Sequence, residues 1–144
     1  MGAIGYEFLP TLRATVEYHH YFDKKARMAD NKQELLSGDT NEYLAGIEWD
    51  AHKYITLSAG YQNTDYGLSD EFQTDTSFYC DSYSLGFGAR INFNQAWSLD
   101  VAYFWTNYKD YTKESANYNG LPFAGTDVYS RSNKTFGLSL NYKF

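Results

Sequence analysis

Hydrophobic and polar side chains alternate with a period of two along most of the chain. In Ser82–Asn92 the odd positions hold aromatic and aliphatic residues, whereas the even positions hold Ser, Gly, Arg and Asn. Successive side chains of a β-strand point to opposite faces of its sheet, so this period predicts strands with one apolar and one polar face. Six segments follow the rule: Leu12–Phe22, Asn41–Trp49, Tyr54–Asp65, Ser82–Asn92, Trp97–Tyr108 and Phe136–Phe144.

The residues on the two predicted faces favour a membrane barrel. The polar set mixes small residues with occasional charges, which suits a hydrated and crowded interior. In the apolar set, aromatic residues lie near segment ends, as Tyr43 and Trp49 do on either side of Ala45 and Ile47. Aromatic girdles of this kind are typical of transmembrane β-barrels. A soluble β-sandwich, whose inward face also alternates, is the alternative.

The connections between the predicted strands are alternately short and long. Outer-membrane barrels have short periplasmic turns and long extracellular loops, so we expect all three long connections at one end of the sheet. In the first of them, Asp30 as N-cap and Gly38 as the stop predict a helical turn. The short connections are Leu9–Pro10, Asp50–Lys53 and Phe93–Ala96, and the long ones are Asp23–Thr40, Tyr66–Asp81 and Lys109–Val128.

The strand count indicates part of a barrel rather than a whole one. Ala3–Phe8 predicts the lower part of a seventh strand, which would run in the same direction as the last strand. Single-chain bacterial barrels have even strand numbers, and six strands are too few for an interior that holds side chains. The start Met1–Ile4 has none of the features of a secretory signal, which leaves a cytoplasmic chain or a piece of a longer one.

The expected fold class is therefore all-β. We expect an antiparallel up-and-down meander of six to seven strands, the C-terminal portion of a transmembrane β-barrel, that does not close on itself. At 144 residues the chain has room for one domain, so residues 1–144 are predicted to be a single partial barrel domain.

Composition excludes several classes of protein. An aromatic content of 19% is too high for a disordered segment. The net charge of −6, without a basic cluster, argues against a nucleic-acid partner. A single cysteine, Cys80, excludes an internal disulfide and a multi-thiolate metal site. No apolar stretch approaches the roughly 20 residues of a spanning helix.

Catalytic and metal-binding chemistry finds little support. His19 and His20 are neighbours on a strand and so face opposite sides, which prevents them from chelating one ion together. Cys80 has no His or Lys beside it in sequence that would activate it as a nucleophile. The acidic residues Asp65, Asp70, Glu71 and Asp75 lack the spacing of a calcium loop. Phosphate-binding and hydrolase motifs are absent from the sequence, so we expect neither an enzyme, nor a metal site, nor a cofactor.

The polar face carries the residues of greatest interest. Arg90 and Asp100 lie on adjacent predicted strands at similar height, so they can pair. Phe104 and Tyr108 break the polar pattern with bulk, and either line an apolar ligand path or fill the interior. With Arg90 and Tyr54 they form the predicted set of lumen residues for ligand binding. The charged residues predicted to point inward are Arg13, Glu17, Glu48, Arg90, Asp100 and Lys143.

Several stretches resemble a known family. The alternating C-terminal residues Phe136, Leu138, Leu140, Tyr142 and Phe144 resemble the signal that the barrel assembly machinery reads. The body of the chain resembles the C-terminal half of FadL-type outer-membrane transporters, particularly those of gut Bacteroidetes. The stretches that carry this resemblance are Asn41–Asp50, Leu57–Ser69, Ser82–Ala89 and Val101–Asp110.

The resemblance implies a bacterial outer-membrane protein. Members of the family are 14-stranded barrels with an N-terminal hatch that carry fatty acids or other hydrophobic compounds passively. Their N-terminal half and hatch have no counterpart in this sequence, so we do not expect transport by this segment alone. The implied partners are outer-membrane lipid, a hydrophobic small-molecule ligand and the barrel assembly machinery. The alternative function is a structural or adhesive barrel whose extracellular loops bind a partner.

Overall fold

The computed structural model describes residues 1–74, 78–115 and 120–144. The strands are β1 Gly2–Leu9, β2 Leu12–Tyr21, β3 Thr40–His52, β4 Ile55–Asp65, β5 Ser82–Asn92, β6 Trp97–Tyr108, β7 Tyr111–Ser115, β8 Gly125–Tyr129 and β9 Ser132–Tyr142. Seven of them form an antiparallel sheet in the order β1-β2-β3-β4-β5-β6-β9, and β7 and β8 form a separate hairpin. The chain is therefore all-β with a meander topology, as the alternation predicts.

The two ends of the large sheet differ in their connections. Short turns join β1 to β2, β3 to β4 and β5 to β6, and together they form what we call the turn end. Two of these turns are bonded to the neighbouring strand, because Asn92 N of β5 donates to Tyr54 O at 2.8 Å and Asp50 N of β3 donates to Thr11 O at 2.8 Å. The three long connections all lie at the opposite end, the loop end, as expected.

Side chains of directly paired residues share a face, so the register assigns every strand residue to one of two faces. Val101 pairs with Ala89 and with Leu138, and Leu99 pairs with Leu140. Leu57 and Ala59 pair with Ala89 and Phe87 on the next strand. Leu57, Ala59, Leu85, Phe87, Leu99, Val101, Leu138 and Leu140 lie on this side, which we call the apolar face. Arg13, Glu48, Ser58 and Ala102 lie on the other, the polar face.

Among the described residues, burial is confined to the loop end. Through the middle of the sheet the apolar face stays open, with Phe87 57% and Leu138 65% exposed. The buried residues are Leu36, Thr64, Gln73, Cys80, Ser82, Ser84, Thr106 and Tyr129.

The first and second long loops are held together by a contact between two glycines. Ser37 N and Gly38 N both donate to Gly67 O, at 3.0 and 3.3 Å. A Cβ added to Gly67 would lie 2.1 Å from the carbonyl carbon of Gly38. The backbones approach so closely that only glycine fits at position 67.

The first long loop contains helical turns, but they differ from the prediction in their type and in their capping residues. The loop contains short 3-10 turns at Asp23–Lys25 and Ala29–Leu35. Asp30 is not an N-cap, because it lies inside the second turn with φ 56°, in the left-handed region. Met28 is the N-cap of this turn and makes no side-chain capping bond; instead, its N–H donates to Gln33 Oε1 at 3.0 Å.

The large sheet is open. β1 and β9 are its two edges, and no ladder among the described residues joins them. This confirms the expectation that the chain does not close on itself. No helix in the described part of the chain has the length and apolar character needed to span a membrane.

Candidate functional site

A row of glycines forms the floor of a hollow in the middle of the polar face. Gly46 pairs with Gly60, and Gly60 pairs with Gly86, so three adjacent strands lack side chains at this height. Thr15 and Phe104 flank the row on the neighbouring strands. The hollow has a volume of about 510 Å³.

Phe104 lies over this floor. A Cβ added to Gly86 would lie 3.3 Å from Phe104 Cδ2, so the ring covers the space that a side chain at position 86 would take. The ring stays 40% exposed. Phe104 is therefore an exposed apolar surface on the polar face, available to a ligand.

Charged residues surround a second hollow of about 250 Å³ nearer the turn end. Arg13 donates from Nε to Glu48 Oε1 at 3.0 Å and from Nη1 to Asp50 Oδ2 at 3.0 Å. Asp50 also accepts a hydrogen bond from Thr56 Oγ1 at 2.7 Å. One guanidinium group is thus held between two carboxylates.

Arg90 and Asp100 form the ion pair that the sequence predicts. Arg90 Nε and Nη2 donate to the two carboxylate oxygens of Asp100, at 2.7 and 3.1 Å. Asn141 Nδ2 on β9 donates to the same carboxylate at 2.9 Å. The bidentate geometry fixes both side chains across neighbouring strands.

The four lumen residues proposed from the sequence do not form one cluster. Phe104 lies in the middle of the sheet and Arg90 near the turn end. Tyr108 lies at the loop end, where its hydroxyl accepts a hydrogen bond from Asn133 Nδ2 at 3.2 Å and Arg131 lies over its ring. Tyr54 lies in the turn between β3 and β4, outside the strands, with Lys53 over its ring. Phe104 is the member that contacts the central hollow.

A cavity of about 220 Å³ at the loop end was not predicted from the sequence. It lies between the first and second long loops, which the Gly38–Gly67 contact brings together. Its apolar lining comes from positions in loops, where no periodicity marks them. The lining includes Met28, Leu36, Leu68, Phe72, Tyr66 and Tyr79.

Side-chain hydrogen bonds join described residues of the second long loop. The side-chain amide of Gln73 bonds the backbone carbonyl and N–H of Tyr79. Tyr66 N donates to Asp81 Oδ1 at 2.8 Å. Burial raises the pKa of the Asp81 carboxyl, and its neighbour Asp65 raises it further. The carboxyl groups of Asp65 and Asp81, at the two ends of this loop, therefore lie close together.

The hairpin of β7 and β8 packs on the second loop. Tyr111 donates its hydroxyl hydrogen to Asp70 Oδ1 at 2.8 Å. Desolvation, followed by this hydrogen bond, raises the pKa of Tyr111 to about 12. Lys113 Nζ donates to Gln73 O at 3.1 Å.

Burial raises the pKa of the Cys80 thiol, which leaves the thiol protonated and weakly nucleophilic at neutral pH.

The histidine and acidic residues considered for metal binding do not form a metal site among the described residues. His19 contacts Glu17 and Glu42 on the polar face, whereas His20 contacts Asp39 and Asn41. Among the described residues no group of three or more His, Cys, Asp or Glu could hold a metal ion. Asp75, one of the four acidic residues considered for calcium, lies outside the described residues.

The residues of the proposed assembly signal lie on or just beyond the edge strand β9. Phe136, Leu138, Leu140 and Tyr142 share the apolar face with Trp97, Leu99, Val101 and Tyr103, their partners on β6. Phe144 follows the end of the strand and is fully exposed. Lys143, predicted to point inward, also lies beyond the strand.

Comparison of the chain with protein-family models and with curated proteins finds no match.

Proposed function

We propose that the chain forms part of the wall of a FadL-type outer-membrane β-barrel that admits long-chain fatty acids or other hydrophobic small molecules passively. One observation carries the proposal: the seven strands present a continuous, exposed apolar face opposite a polar face with hollows. Contiguous apolar patches of this extent are rare on soluble monomers, whereas single exposed apolar residues are common. Bilayer lipid is the solvent that suits such a surface.

The distribution of aromatic residues supports this orientation. Trp49 and Trp97 lie on the apolar face toward the turn end, and Trp105 lies on it toward the loop end. Trp97 pairs with Tyr142, with ring centroids 4.7 Å apart. Between these ends the face also carries aliphatic residues such as Leu99, Val101, Leu138 and Leu140. Aromatic residues near both ends match the headgroup layers on the two sides of a bilayer.

The polar face supplies the passage. Its glycine floor leaves space, and Phe104 offers an apolar contact in that space. Because the sheet is open, the passage needs further strands opposite this wall before it becomes a channel. Transport therefore requires a larger barrel, inserted by the barrel assembly machinery, and not this segment alone.

A tryptophan reporter tests ligand entry. We would replace the three natural tryptophans by Phe, introduce Phe104→Trp, and fold the chain into dioleoyl phosphatidylcholine vesicles. Terminally brominated dodecanol should quench this reporter saturably, because bromine quenches on contact. The matched control keeps only Trp105, the sequence neighbour on the apolar face, which reports ligand dissolved in lipid and should not saturate. Identical, unsaturable quenching of both reporters would contradict the proposal.

A structural or adhesive barrel is the second candidate function. The observation that favours it is a group of exposed apolar residues beyond the loop end, with Leu121 49%, Phe123 56% and Val128 60% exposed. In that case the reporter at position 104 would not bind ligand, and Leu121→Ser with Phe123→Ser would reduce attachment of cells that display the chain. Unchanged attachment would exclude this role for the residues.

A further inference from the structure

The charges on the polar face are unequal. Within the seven strands this face carries six carboxylates and two guanidinium groups, a net charge of −4 with histidine neutral. The other ten Lys and Arg residues of the chain lie in loops and turns, in the separate β7–β8 hairpin, after β9, or, as Lys134 does, on the apolar face. The carboxylates are those of Glu7, Glu17, Glu42, Glu48, Asp50 and Asp100, and the guanidinium groups are those of Arg13 and Arg90.

Both cations of the polar face are already neutralised by neighbours. Arg13 is bound by Glu48 and Asp50, and Arg90 is bound by both oxygens of Asp100. None of the ion pairs among the described residues includes Glu7. An anionic headgroup in the hollows therefore meets no free cation on this wall, and it meets carboxylates above and below Phe104.

We propose that this wall selects its hydrophobic ligand by charge, favouring cationic and uncharged molecules over carboxylates. This rests on the proposed function and narrows it to hydrophobic amines and alcohols rather than fatty-acid anions. The apolar part of the ligand lies against Phe104 over the glycine floor. The polar group of the ligand lies among carboxylates whose charge is not fully compensated.

The strength of this selection depends on salt. Exposed charges interact over a Debye length, which is about 30 Å at 0.01 M salt and about 3 Å at 1 M. With the hollows open to water, several carboxylates together should separate the affinities of an amine and a carboxylate by about tenfold at low salt. High salt should reduce the difference to about twofold or less.

The experiment uses the Phe104→Trp reporter with three brominated ligands that differ only in the headgroup. These are terminally brominated dodecylamine, dodecanol and dodecanoate, added at neutral pH to the chain in zwitterionic vesicles. The Trp105 control measures how much of each ligand enters the lipid, so apparent affinities at position 104 are corrected for partitioning. We expect the affinity at position 104 to decrease in the order amine, alcohol, carboxylate. In about 0.5 M salt the differences between the three affinities should largely disappear.

A charge variant separates selection from general damage. Asp100→Asn keeps an acceptor oxygen for Arg90 but frees the positive charge, so carboxylate affinity should rise and amine affinity should fall. A purely structural effect would change both affinities in the same direction. Glu114→Gln, on the exposed side of the β7–β8 hairpin, is the matched control and should change neither.

The outcomes distinguish this inference from the proposed function. Carboxylate binding as tight as amine binding would overturn the charge selection and leave ligand entry standing. Saturable binding of none of the three ligands would contradict the proposed function and the selection with it. Equal behaviour of Asp100→Asn and Glu114→Gln would also overturn the selection.

Discussion

Individual residues decide how the loops meet, and here the sequence was least informative. Gly38 and Gly67 contact each other although 29 positions separate them, and nothing local indicates which loop residues become neighbours. The sequence also predicted Asp30 as an N-cap, but Met28 holds that position and Asp30 takes a left-handed conformation. By contrast, the Arg90–Asp100 pair was predictable because a short turn fixes the register of its two strands.

Gly67→Ala should separate the first and second long loops. The added methyl group would overlap the backbone of Gly38, and two hydrogen bonds to Gly67 O would be lost. At about 1 kcal/mol for each bond, tryptic cleavage after Lys32 should become about thirtyfold faster. Gly38→Ala is the control, because its Cβ would lie at an ordinary 3.5 Å from Gly67 Cα. Equal cleavage rates in the two variants would refute this packing.

Tyr111 should make the docking of the β7–β8 hairpin sensitive to alkali. Its pKa of about 12 lies above the ordinary tyrosine value of about 10, so folding favours the protonated phenol. The stabilisation is complete below pH 10 and is lost as the pH rises toward 12. Ultraviolet titration of the protein minus that of Tyr111→Phe should show a step near pH 12. Asp70→Asn should shift that step to a lower pH. A difference step at pH 10 in the unmutated protein would contradict the assignment.

Elements were predictable where short turns join them. The boundaries of β5 and β6 agree with the alternation residue for residue, since the period of two and a four-residue turn are both local properties. The sheet order followed from the same pattern. The loop-end cavity did not, because it depends on contacts between irregular segments. Tyr54 was placed on the polar face by its position, yet the turn removes it from the strand.

Neighbouring residues of β6 should respond differently to charge. Leu99 lies on the apolar face and Ser98 on the polar face. If the apolar face contacts lipid, Leu99→Arg should cost roughly 2–4 kcal/mol near the bilayer midplane, whereas Ser98→Arg should cost much less. Heat-modified gel mobility after insertion measures the folded fraction of each variant. Equal loss of the folded form would refute the assignment of faces.

At the scale of the whole molecule, two faces and two open edges define what the chain can do. The apolar face suits lipid, and the polar face suits a hydrated passage. β1 and β9 run in the same direction, so they can be joined only by an odd number of further antiparallel strands. The seven-stranded sheet has two distinct faces but does not close on itself, which is why we propose that transport belongs to a larger barrel.

Depth-dependent fluorescence quenching tests the lipid-facing surface most directly. All three natural tryptophans lie on the apolar face, so each can report alone when the other two are replaced by Phe. In vesicles, phosphatidylcholine brominated near the headgroup should quench Trp49, Trp97 and Trp105 more strongly than lipid brominated at the end of the acyl chain. Circular dichroism verifies the strand content of each sample. Tryptophans that remain unquenched by either lipid, in a chain with intact strands, would contradict a membrane-facing sheet.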